Sequence, residues 1–111
     1  MKTRINPAIE PMVQEFKKVL QELYGDRLVD VVLYGSYARG DYDDESDIDL
    51  MVVLTDEVVN TYAEIRKITD IETEFLLRYG FAISPLPVSR KKYKASYGGV
   101  YQEARKEGLT I

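Results

Sequence analysis

The sequence predicts a small α/β fold, with helices packed over a mixed sheet of three to four strands. Three observations predict it. Apolar stripes at three- and four-residue spacing alternate with short β-rich runs, in the order αβ(α)βαβα. The chain has 111 residues, the size of one domain spanning 1–111. Hydrophobic residues make up 45% of it, enough for a core, although a domain of this size has a thin stability margin.

The first stripe runs Ile9, Met12, Val13, Phe16, Val19, Leu20 and Leu23. Asn6-Pro7 supplies a cap and a first-turn proline, and Gly25 stops the helix. Leu28 to Tyr34 (LVDVVLY) reads as a strand buried on both faces. Gly35-Ser36 breaks it, and YAR forms a short helical turn before Gly40. Ile48 to Leu54 (IDLMVVL) is a second strand. Thr55-Asp56 is expected to cap a long helix that carries Val58, Val59, Tyr62, Ile65, Ile68, Ile71, Phe75 and Leu76 and ends at Gly80. Phe81 to Val88 is a third strand, confined by Pro85 and Pro87 to a sheet edge. A basic run, RKKYK, then leads through a Gly98-Gly99 break into a helical VYQEARKEG.

Composition narrows the chemistry. There is no Cys, hence no disulfide, thiolate nucleophile or Cys-type zinc site. There is no His, hence no Ser-His-Asp triad and no His-held metal. Catalysis must use carboxylates, hydroxyls, Lys, Arg, Tyr or an oxygen-held metal. Net charge is −4, but six of the 19 acids lie in residues 41–49, DYDDESDID, without a base among them. The rest of the chain carries 13 acids against 15 bases, so one anionic site stands in a mildly basic domain. No apolar run is long enough to span a membrane, and MKTRINPAIEP lacks the apolar core of a signal peptide, so a cytoplasmic protein is expected.

Within LYGSYARGDYDDESDIDLMVVL two features carry the chemistry. Asp47 and Asp49 are two apart at the start of a strand, so their side chains share a face while Ile48 and Leu50 turn inward. Paired carboxylates repel unless a cation lies between them, and oxygen-only ligands favour Mg²⁺. Two such ions are a standard arrangement for nucleotidyl transfer. An EF-hand calcium loop is excluded, because Ser46 stands where Gly is required and Val52 where the closing Glu should be. Gly35 lets the backbone approach a ligand, Ser36 opens a helical turn suited to phosphate, and Arg39 lies one turn on. Asp41 is placed to orient Arg39, while Asp43, Asp44 and Glu45 read as loop solvation.

The string G-S-x10-D-x-D resembles the signature of the DNA polymerase β-like nucleotidyltransferase superfamily. The stretch GSYARGDYDDESDIDLMVV is similar to its smallest members, the minimal nucleotidyltransferases, and the likeness extends to an ISP-containing third strand and the RKEG ending. The resemblance implies a palm-like core in which Gly35 and Ser36 hold the triphosphate of ATP and Asp47 and Asp49 bind two Mg²⁺ ions. It also implies a partner, a HEPN-domain ribonuclease toxin, with the minimal nucleotidyltransferase as antitoxin transferring AMP to a toxin tyrosine. One departure stands out. The superfamily usually places a third carboxylate on a neighbouring strand, and FAISPLPVS has none; Ala82 or Ser84 occupies the position. Glu72 and Glu74 are near in sequence, but at a helix end. Two alternatives follow: a binding-only antitoxin that masks its partner, and the catalytic subunit of a small-molecule nucleotidyltransferase. At this length part of the substrate site must come from a partner or a second copy. Arg90, Lys91, Lys92 and Lys94 read as an exposed helix start, with triphosphate neutralisation or docking to an acidic partner as functional readings. Nucleic acid is disfavoured by overall charge. Tyr93, Tyr97 and Tyr101 read as core packing, with partner contact as the alternative.

Overall fold

The computed structural model describes residues 5–111. Met1–Arg4, part of the stretch read above as lacking a signal-peptide core, lie outside them. Helices α1 (Glu10–Tyr24) and α3 (Thr61–Tyr79) cover one face of a four-stranded sheet; α4 (Arg90–Ala95) and α5 (Gly99–Glu107) cover the other. The strands are β1 (Leu28–Tyr34), β2 (Ile48–Leu54), β3 (Ile83–Ser89) and β4 (Leu109–Thr110), in the order β3-β2-β1-β4. β1 runs antiparallel to β2 and β4, and β2 runs parallel to β3, so the sheet is mixed as expected. A single helical turn, α2 (Ser36–Arg39), follows β1.

Strand alternation divides the core. Val31, Leu33, Ile48, Leu50, Val52 and Leu54 point toward α1 and α3, where Phe16 and Phe75 meet edge to face with centroids 5.2 Å apart. Val32, Tyr34, Met51, Val53 and Val88 point the other way and meet Ala104 of α5. The prolines of β3 sit on an edge strand, where a missing N–H costs no ladder bond.

Some element ends differ from expectation. α1 proper begins at Glu10, not at Pro7. Asn6 instead builds a lead-in turn: its side-chain oxygen accepts from Ala8 N–H (2.9 Å) and its carbonyl from Ile9 and Glu10. α3 is capped by Asn60, whose side chain accepts from Ala63 N–H at 3.1 Å, and not by Thr55-Asp56. Asp56 is committed to Arg27, which donates to it through Nε (2.9 Å) and Nη2 (3.1 Å). Val58 therefore precedes the helix and is 87% exposed, and the core-facing stripe of α3 is Ile68, Ile71 and Phe75. β4 was not anticipated. The chain breaks between α4 and α5 as expected, at residues 96–98, and Gly99 opens α5; Tyr93 and Tyr101 pack inward, whereas Tyr97 is 94% exposed.

Candidate active site

β1 and β2 are antiparallel, so the exit of β1 lies beside the entry of β2, with Tyr34 opposite Asp49. This register brings Gly35-Ser36 to Asp49 across 12 residues of intervening chain. Gly35 has φ +75°, a conformation that side chains rarely adopt. A Cβ built there would overlap the Asp49 carboxylate, so that carboxylate lies directly against the Gly35 backbone. Ser36 opens α2, and the Gly35 carbonyl accepts from Ala38 (3.1 Å) and Arg39 (3.0 Å). The first amides of such a turn have no carbonyl behind them within it.

Asp49 is half-buried on the α4/α5 face, and Asp47, just before β2, is exposed. Burial pushes the Asp49 carboxyl above the usual aspartate range, and the charges of Asp47 and then Glu103 push it further. Arg39 is the cation that opposes this. It donates through Nε to Asp41 (3.2 Å) and through Nη1 to Glu103. Burial, then Asp49, pushes the Tyr34 hydroxyl up to about 12.

The acidic loop separates by role. Asp43 shapes it, its Oδ1 accepting from Glu45 N–H (2.9 Å) and Ser46 Oγ–H (3.2 Å). Among the described residues no group of three or more acids gathers closely enough to hold a metal ion. The position beside Asp49 on β3 is Ser84, exposed and in direct register. Glu72 and Glu74 do not reach the site: α3 lies on the opposite face, and Glu74 pairs with Arg78 at 3.7 Å. The basic run is also elsewhere. Ser89, which caps α4, pairs with Leu54 at the far end of β2, about 16 Å from Asp49 at strand rise. Sequence reasoning missed Tyr34 and Glu103. Tyr34 was legible as the residue opposite the carboxylate once β1 and β2 were paired antiparallel; Glu103 had no signal, lying 54 positions beyond Asp49 in an ordinary amphipathic helix.

A strand, a glycine turn and a second strand carrying Asp-x-Asp recur in known proteins. The family model described as "Nucleotidyltransferase domain" matches residues 13–96. The chain belongs to this nucleotidyltransferase family. It is 40% identical over 86 residues to a Methanocaldococcus jannaschii protein named as a candidate protein adenylyltransferase, covering 78% of this chain and 84% of that one. A second such protein of that organism is 37% identical over 84 residues, covering 76% and 77%. Among solved structures, a toxin–antitoxin with AMP-PNP aligns at TM-score 0.59 and 16% identity, over 87% of this chain and 70% of that one. A nucleotidyltransferase-type protein from Sulfolobus solfataricus aligns at TM-score 0.54 and 20% identity, over 99% and 90%. These structural likenesses confirm the nucleotidyltransferase fold. The chain is a nucleotidyltransferase, as the motif implied.

Proposed function

We propose that this nucleotidyltransferase transfers AMP from ATP to a tyrosine of a HEPN-domain toxin and thereby acts as that toxin's antitoxin in the cytoplasm, the 111 residues forming one minimal domain. The observation that carries the reading is the packing of the Asp49 carboxylate against the Gly35 backbone. On this reading it sets a phosphate-binding turn beside one carboxylate of the cation-binding pair. The names of the Methanocaldococcus jannaschii relatives supply the protein acceptor, and the toxin–antitoxin neighbours supply the partner class. Another crystal of such a neighbour carries two Asp-to-Glu changes two residues apart, the spacing of Asp47 and Asp49.

The residues fit Mg²⁺. This ion keeps several waters and is held by one or two carboxylates together with substrate phosphates, so Asp47 and Asp49 suffice as protein donors. Asp47 and Asp49 would hold the ion, which would supply charge stabilisation for the pyrophosphate leaving group. Gly35 and Ser36 present backbone amides, and Ser36 its hydroxyl, to the phosphates. Arg39 adds a planar donor for phosphate oxygens. In the transfer the tyrosine hydroxyl loses its proton to solvent, its oxygen bonds to the α-phosphorus, and the bond from that phosphorus to the α–β bridging oxygen breaks, so that pyrophosphate leaves with the bonding electron pair. A cleft of about 1170 Å³ opens beside Arg39 between α1, α2 and the α5–β4 segment, and Asp47 and Asp49 do not line it. Asp47 is exposed beside half-buried Asp49, which suits an acceptor carried in by a partner or a second copy.

One observation favours a second reading, a binding-only antitoxin: Ser84 stands beside Asp49 where a third carboxylate would. Incubation with the product of the neighbouring gene, Mg²⁺ and ATP separates the two. Adenylyl transfer predicts a mass gain of one AMP on a partner tyrosine, lost in Asp47→Asn. Neutralisation undiminished in that variant would establish masking instead.

A further inference from the structure

Arg39 is gripped from two sides by carboxylates of different origin. Asp41 is its neighbour in the chain, but Glu103 comes from α5, 64 positions away and outside residues 13–96 that match the family model. The Glu103 side chain is 30% exposed and that of Arg39 37%, so the pair lies at the site's edge within reach of solvent. Glu107 of the same helix adds a further negative charge toward Arg39. Asp41, Glu103 and Glu107 thus all bring negative charge to Arg39. Nothing in the folding of α5 requires Glu103 to point there, because that helix is anchored by Ala104 and Tyr101 against the sheet.

We propose that Glu103 is a placeholder for phosphate: it holds Arg39 in the nucleotide-free protein and is displaced when a triphosphate arrives. The inference rests on the reading above that Gly35, Ser36 and Arg39 bind the phosphates. A triphosphate offers several anionic oxygens and bidentate geometry to the guanidinium, whereas Glu103 holds a partly exposed single contact of the kind that contributes little. Exchange is therefore favourable, and Glu103 taxes nucleotide affinity while keeping Arg39 extended toward the site. It is a positioning residue that acts through Arg39.

Calorimetric titration of the full chain with AMP-PNP and Mg²⁺ tests this, using wild type, Glu103→Gln, Arg39→Gln and the double variant, each checked for unchanged far-ultraviolet circular dichroism. Glu103→Gln should lower Kd about two- to fivefold, the scale of an exposed ion pair. The gain should shrink in 0.5 M salt, where such pairs are screened. In the Arg39→Gln background the same substitution should change Kd less than about 1.5-fold, because distinct single effects merge when residues act through one contact. A Kd in Glu103→Gln that is unchanged or higher, or a gain equally large without Arg39, overturns the inference while leaving nucleotide binding intact. Absence of binding in wild type as well overturns the nucleotide-site reading, and this inference with it.

Discussion

Gly35 and Asp49 press against each other, and that contact sets the behaviour of both. Gly35→Ala adds a methyl group at φ +75° and drives it into the carboxylate. The expected cost is about 1–3 kcal/mol of stability from backbone strain, with a fall in transfer rate of about 100-fold from displaced geometry. Denaturant unfolding and a labelling assay measure the two separately. Asp49 itself is strained electrostatically. Its carboxyl is raised by burial and by Asp47 and Glu103, so at neutral pH its ionised form disfavours the folded state. Asp49→Asn should therefore raise Tm by a few degrees in metal-free buffer while abolishing transfer. Added Mg²⁺ should raise the Tm of wild type and not of the variant. A lower Tm in Asp49→Asn without metal would refute this.

At the scale of elements, α5 docks onto the sheet through Gly108. A Cβ there would overlap the Ala104 carbonyl oxygen and come within 2.6 Å of Val32 Cγ1. Gly108→Ala should cost about 1–3 kcal/mol through overpacking, read as a lower denaturant midpoint, and should loosen Glu103 along with the helix. This same element marks the boundary of what sequence could reveal. β1 and β2 were legible to the residue, because each is a dense β-branched run closed by Gly or acid punctuation. The start of α3 was not. Thr55-Asp56 looks like a cap, but Asp56 is drawn away by Arg27, a partner 29 positions distant. Asn60, five residues on, lacks a distinguishing signal beside Thr55-Asp56. β4 has two residues, too few for any period, and exists because β1 offers an open edge. Glu103 enters the site only through packing of α5 over β1, a long-range contact that local patterns do not encode. The motif residues Gly35, Ser36, Asp47 and Asp49 were legible because one strand–turn–strand unit carries them all.

Across the whole molecule, ion pairs gather at both ends of the sheet. The acidic site lies where β1 ends and β2 begins. At the other end Arg27 ties the exit of α1 to the β2–α3 loop through Asp56, reaches buried Glu64 at 3.5 Å, and stacks over Tyr24 with its guanidinium carbon 5.3 Å from the ring centroid. Arg27 holds the Asp56 carboxyl below its ordinary value of 3.8. A lowered carboxylate stabilises the fold above that ordinary value, and the contribution is lost as pH falls through the lower, folded one. Asp56→Asn should thus lower Tm at neutral pH and narrow the difference from wild type in strong acid; a constant difference at every pH would contradict the pairing. On the proposed function, the Gly35–Asp49 end takes nucleotide and partner, and the Arg27 end is structural. The most direct test of that assignment follows the position of the label in ATP. Wild type with Mg²⁺ and its partner should incorporate label from the α-phosphate and none from the γ-phosphate, and Asp47→Asn should lower incorporation by at least about 100-fold. Label from the γ-phosphate, or α-label that persists in Asp47→Asn, would contradict the account.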